Sequence, residues 1–111
     1  APYFVEHVRS LLKNEHRLPH LSTGGYTIYT TIDPSLQTQA EAEIQRAFQN
    51  KSRQFDQAAM VSIEPHTGHV RSLVGGVNYT LSEFNRVTQA NRQPGSSFKT
   101  IISWLCKCFY H

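Results

Sequence analysis

Gln93-Pro94-Gly95-Ser96-Ser97-Phe98-Lys99 is the stretch on which the reading of this 111-residue chain turns. Pro94-Gly95 is a turn signal. Ser96 then suits the opening of a helix, because serine is a preferred N-cap and the residues after it are largely apolar. On that helix Ser96 and Lys99 stand at i and i+3, on one face and at the positive end of the helix dipole. A serine hydroxyl becomes a nucleophile when a neighbouring base takes its proton. A lysine serves as that base once desolvation or nearby cations lower its pKa. Ser96 and Lys99 are therefore the candidate catalytic pair, set against plain readings as a helix cap and a surface residue.

Working outward, the segment from Ser97 to about Phe109 is apolar nearly all round, through Phe98, Ile101, Ile102, Trp104, Leu105, Cys106 and Phe109. A helix of that kind must be buried on several sides. Before the stretch, Val77 to Gln93 is polar and reads as an irregular approach loop. Gln57 to Gly75 reads as a β-hairpin: a strand over 57–63, a tight turn at Pro65-His66-Thr67-Gly68 with Gly68 free to take positive φ, and a returning strand over 69–74. His66 and His69 flank the turn as exposed residues. Asp33-Pro34 is a helix start, with aspartate as N-cap and proline in the first turn. That helix runs to about Asn50 with Leu36, Ala40, Ile44, Ala47 and Phe48 on its apolar face. Tyr26 to Ile32 is β-branched and aromatic and predicts a strand, with Tyr26, Ile28 and Ile32 on one face. Phe4, Val5, Val8, Leu11 and Leu12 make a helical stripe over residues 3–14.

Composition bounds the rest. Hydrophobic residues are 39% and charged residues 17%, the balance of a folded chain rather than a disordered one. The net charge is +3, but Lys and Arg form no run, which argues against a nucleic-acid partner. No apolar run approaches the ~18–20 residues of a membrane span. Ala1-Pro2-Tyr3-Phe4 has neither a starting Met nor a signal-peptide pattern and reads as an excision from a longer polypeptide. Cys106 and Cys108 offer no disulfide framework. His16 and His20 stand four apart, as a metal pair would, but Pro19 between them opposes a shared helix; Cys106 and Cys108 with His111 have poor spacing for zinc and lack a fourth ligand, so no metal or cofactor is expected.

Phe84-Asn85-Arg86-Val87-Thr88-Gln89-Ala90-Asn91-Arg92-Gln93-Pro94-Gly95-Ser96-Ser97-Phe98-Lys99 resembles the active-serine region of class A, bifunctional penicillin-binding proteins. Gly24 to Gln37 resembles the start of the family's transpeptidase domain. Glu64 to Val70 with Leu73-Val74-Gly75-Gly76 resembles its first hairpin, and Pro2-Tyr3-Phe4-Val5 the segment joining it to a glycosyltransferase domain. The resemblance implies an α+β fold, an incomplete N-terminal fragment of the penicillin-binding/serine β-lactamase-like transpeptidase fold. It divides the chain into a linker helix over 1–23, the first part of the transpeptidase domain over 24–99, and an aberrant or truncated tail over 100–111.

The activity implied is a serine D,D-transpeptidase of peptidoglycan synthesis on the extracytoplasmic face of the bacterial membrane. Its partners would be a stem peptide or a β-lactam, and the preceding glycosyltransferase domain. Carried over by position, Ser96 is the nucleophile and Lys99 the base or proton relay. The family's Ser-x-Asn and Lys-Thr-Gly motifs do not occur after Lys99, and His66-Thr67-Gly68 is a decoy of the latter. The resemblance stops at Lys99. A frameshift is one expected origin of residues 100–111, since an extra A after a lysine codon turns a proline codon CCN into ACC, threonine. The expectation is thus an inactive transpeptidase fragment, with a non-catalytic linker or pedestal module as the alternative.

Overall fold

The computed structural model describes residues 1–14, 18, 20–50 and 55–99. In chain order its elements are α1 (Pro2–Asn14), α2 (Pro34–Gln49), the strands β1 (Met60–Ile63) and β2 (Val70–Val74), and a single 3-10 turn at Gly95–Ser97. Two helices with an antiparallel strand pair make the expected α+β content. The apolar run after Lys99, the cysteines, His16 and Pro19 lie outside the described residues.

α2 begins where its first two residues require. Asp33 keeps extended angles (φ −96°, ψ 115°), and its carboxylate accepts the N–H groups of Ser35 at 2.8 Å and Leu36 at 3.1 Å. Proline in the first turn forfeits no helical hydrogen bond. The buried face of α2 is Gln37, Ala40 and Ile44, with Phe48 half-buried beside it. Ala40 and Ile44 pack with Val74 and Val77 as the core, flanked by Ala58 and Met60. This corrects the expected face: Leu36 is 42% exposed and Ala47 is exposed, while a polar residue, Gln37, goes inside. Gln37 is admitted because its amide is satisfied. Its Nε2 donates to Leu73 O at 3.0 Å, and its Oε1 accepts Leu73 N–H at 2.8 Å.

The hairpin is observed, shorter than its sequence limits. Met60 pairs with Val74, Val61 with Leu73, Ser62 with Ser72, and Ile63 with Val70, the last across a bulge. The alternation puts Met60 and Ala58 toward α2 and leaves Val61 and Ile63 at 42% and 55% exposure. Gly68 takes φ +73°, a conformation that favours glycine at this turn. Gly68 N–H donates to Glu64 O at 2.8 Å, and Glu64 N–H to His69 O at 2.9 Å.

Glu64 closes the hairpin with its side chain as well. It accepts from Thr67 Oγ1 at 2.6 Å and from Arg71 Nη2 at 2.7 Å. These two bonds hold its carboxyl below the usual range. A depressed carboxylate stabilises the fold above its unfolded pKa of about 4.3, and that contribution is lost as pH falls through the folded value. Glu64→Gln is therefore expected to melt below the parent at neutral pH, with the gap closing by about pH 3. Paired melting curves down that range check this, and a gap that persists in acid would trace the loss to something other than the carboxylate.

The strand expected over 26–32 is not formed. Residues 25–32 belong to no helix or ladder, although Asp33 N–H donates to Arg71 O at 2.8 Å and Thr31 Oγ1 to Val70 O at 2.8 Å. Strand propensity is a local preference, whereas a ladder needs free backbone groups on the neighbour. On this edge of β2 the N–H and C=O of Leu73 are already taken by Gln37. Ile28, Thr30 and Ile32, at the two-residue spacing of an extended chain, instead line one side of an apolar groove. Val5, Val8 and Leu12 of α1 line the other.

Candidate functional site

The seven residues that opened the analysis fold locally. Pro94 has helical angles (φ −68°, ψ −15°), Gly95 to Ser97 form the 3-10 turn, and Phe98 keeps helical angles (φ −68°, ψ −20°). Ser97 N–H donates to Pro94 O at 3.2 Å. Gly95 has φ +56°, which favours glycine between Pro94 and the serines. Ser96 does not cap this turn. The cap position is Pro94, one residue before Gly95, and no side chain bonds to it. The left-handed glycine starts the turn earlier than the serine, so the Ser96 hydroxyl stays available.

Ser96 and Lys99 are both exposed. The turn keeps them three residues apart on helical backbone, where i and i+3 side chains lie over one another. Among the described residues neither side chain makes a hydrogen bond or ion pair. The described residues thus supply the pair's spacing.

What the fold does build is the support beneath the approach loop. Asn85, 6% exposed, is its centre. Its carbonyl accepts Gln89 N–H at 2.8 Å, its N–H donates to Gln89 Oε1 at 2.8 Å, and its Oδ1 accepts Val87 N–H at 3.1 Å. Asn85 Nδ2 is buried without a hydrogen-bond partner among the described residues. Arg86 N–H donates to Gly75 O at 2.9 Å, which joins the loop to the end of β2. The Arg86 guanidinium lies over the Phe84 ring, 5.5 Å from its centroid.

Gly75 and Gly76 are glycines because of what touches them. A Cβ at Gly75 would collide with Asn85 Oδ1 and stand 2.9 Å from Tyr3 Cδ1. One at Gly76 would stand 2.5 Å from Tyr3 Oη and 2.9 Å from Arg86 Nη1. Tyr3 reaches in from α1, donates to Ser82 O at 2.7 Å, and meets Tyr79 edge-on at 5.0 Å. Burial pushes the Tyr3 phenol above its usual pKa against the pull of Arg86, and desolvation with the Glu83 and Glu6 carboxylates does the same at Tyr79. Tyr3 therefore acts as a neutral hydroxyl donor to Ser82 O. The loop reading of 77–93 was correct in form, but Tyr3, Gln89, Asn85 and the glycine pair did not stand out as a unit. The visible signals were two adjacent glycines and an amide side chain four residues after another.

His66 and His69 are exposed at the hairpin turn. Among the described residues no group of three or more His, Cys, Asp or Glu side chains could hold a metal ion. No helix among them is long and apolar enough to cross a membrane.

Comparison with known proteins follows from these elements. The chain is 36% identical over 104 residues to penicillin-binding protein 2D of Bacillus subtilis, a match covering 92% of the chain and 15% of that relative. It is 36% identical over 88 residues to penicillin-binding protein 4 of the same organism, covering 79% of the chain and 14% of the relative. It is 54% identical over 46 residues to penicillin-binding protein 1A of Pseudomonas aeruginosa, covering 41% of the chain and 6% of the relative. The chain thus spans less than one sixth of the length of each of these proteins. No protein-family model and no solved structure matches it. Penicillin-binding proteins are the family to which these 111 residues are related, and the relation covers a short stretch of each of them.

Proposed function

We propose that these residues carry the acylating serine of a peptidoglycan D,D-transpeptidase of the class A kind, without the cleft that activates it. The observation that carries this reading is the match over 92% of the chain to a penicillin-binding protein, because it leaves too few residues outside to miss 93–99. In the proposed reaction Ser96 Oγ attacks the penultimate D-Ala carbonyl. The Oγ–C bond forms, the peptide C–N bond breaks, and D-Ala leaves with the serine's proton, relayed by Lys99. An amine on a neighbouring strand then attacks the ester and releases Ser96. Opening of a β-lactam ring follows the same first step. A preceding glycosyltransferase domain and an extracytoplasmic location belong to the same proposal.

The exposure of Ser96 and Lys99, with no partner among the described residues, favours an inert isolated chain that serves as pedestal. Loss of one oxyanion donor alone costs ~10²–10³ in rate, and among the described residues no side chain bonds to Ser96 or Lys99. A fluorescent penicillin is expected to leave the purified chain unlabelled. Covalent label that disappears in Ser96→Ala would overturn the inert reading. The assignment of Ser96 is tested in a chimera in which residues 1–99 replace the matching segment of the Bacillus subtilis protein 2D. That chimera should label, and Ser96→Ala should abolish the label. Label that survives the substitution would remove Ser96 as the nucleophile.

A further inference from the structure

Residues 91–99 are all exposed. Among the described residues, the hydrogen bonds of 90–99 stay inside that segment, with Ser97 N–H on Pro94 O at 3.2 Å and Phe98 N–H on Gly95 O. None of them reaches α1, α2 or the hairpin. Going back along the chain from Ser96, the first residue bonded outside the segment is therefore Gln89. The direction in which the serine segment leaves the fold is set at that residue.

Gln89 is held twice by one partner. Its N–H donates to Asn85 O at 2.8 Å, and its Oε1 accepts Asn85 N–H at 2.8 Å. The second bond is the one a turn does not supply by itself. Asn85 is 6% exposed, and its N–H has no other acceptor among the described residues. A buried N–H left without an acceptor is disfavoured, so the Gln89 oxygen decides whether this turn closes. Asn85 is in turn pinned by Val87 N–H on its Oδ1 at 3.1 Å, and Arg86 N–H on Gly75 O at 2.9 Å ties the turn to the end of β2. The Gln89 side chain is exposed and makes no other bond among the described residues. We propose that Gln89 is a positioning residue for acylation, a role that rests on the reading of Ser96 as the nucleophile. Its side-chain oxygen fixes the turn from which Ser96 is presented, and it acts through that turn without contact with the reacting atoms. A reacting group displaced by about 1 Å loses up to about 10²-fold in rate, which makes the exit point of this segment matter.

The test uses the chimera in which residues 1–99 replace the matching segment of the Bacillus subtilis protein 2D. Gln89→Leu removes the acceptor, and Gln89→Glu keeps an oxygen for Asn85 N–H. Time-resolved labelling with a fluorescent penicillin separates the amplitude, which counts folded molecules, from the limiting acylation rate. Gln89→Leu should keep the amplitude and lower the limiting rate by about tenfold, with little change in the penicillin concentration that gives half of it. Gln89→Glu should restore the parental rate. In the 111-residue chain itself, hydrogen exchange at the Asn85 amide should quicken in Gln89→Leu and not in Gln89→Glu. A parent chimera that takes no label overturns the reading of Ser96 and this role with it. A parent that labels, beside a Gln89→Leu chimera that labels as fast, overturns the role alone. So does amplitude lost in place of rate, which marks a merely structural residue, or a Gln89→Glu chimera as slow as Gln89→Leu. Exchange at Asn85 that ignores Gln89→Leu overturns it as well.

Discussion

Gly75→Ala is expected to destabilise the fold by about 3 kcal/mol, lowering the melting midpoint by on the order of 15 °C. The added methyl meets three atoms closer than real Cβ contacts allow: Asn85 Oδ1, Asn85 Cγ at 2.7 Å and Tyr3 Cδ1 at 2.9 Å. None of them can give way cheaply. Asn85 is held by Val87 N–H on its Oδ1 and by the paired bonds to Gln89. Tyr3 is held by its hydroxyl on Ser82 O and by Tyr79 against its ring. Relief would have to come from moving the loop away from Gly75, which breaks the Arg86 N–H bond to Gly75 O. The backbone at Gly75 does not have a positive φ, so the cost is one of space and not of conformation. A thermal melt of the variant checks this. A midpoint within about 2 °C of the parent would mean that the loop does not sit where Asn85 places it.

The contrast between this contact and the legible parts of the chain has a physical basis. Asp33-Pro34, the apolar stripe of α1 and the Pro65–Gly68 turn are decided by neighbours in sequence, and each folds as its residues predict. Tyr26–Ile32 has the residues of a strand and forms none, because its would-be partner Leu73 is already bonded to Gln37, 36 residues away. Asn85 meets Gly75 and Tyr3 through contacts that no local period encodes. The candidate site divides in the same way. The spacing of Ser96 and Lys99 is local and was readable, whereas activation of that pair depends on neighbours that the described residues do not bring to it.

Gln37→Glu carries the second large effect, and it should depend on pH. Gln37 is 5% exposed, and its Nε2 donates both to Leu73 O at 3.0 Å and to Glu41 Oε1 at 2.9 Å. Burial works to raise the Glu41 pKa, but this bond and the Ala1 ammonium outweigh it and hold the carboxylate below its usual range. Gln37→Glu preserves the shape and turns the donor into an acceptor. A buried carboxylate oxygen would then oppose a carbonyl and a second carboxylate, at a cost of about 3 kcal/mol at neutral pH. Protonation restores one donor, so the charged form of the new carboxyl is the disfavoured one and its folded pKa is raised. Stability is then fully present below the unfolded pKa of about 4.3 and is lost as pH rises through the folded value. The deficit relative to the parent should therefore shrink as pH is lowered toward about 4. Gln37→Leu is the control. It leaves Leu73 N–H and C=O unpaired and should cost about 2 kcal/mol, varying with pH only through the lost bond to Glu41 and so less steeply than Gln37→Glu. Denaturant unfolding of the three proteins across that range separates the cases. A Gln37→Glu deficit no steeper with pH than that of Gln37→Leu would show that Leu73 and Glu41 do not press on this side chain, and that its place in the core rests on packing alone.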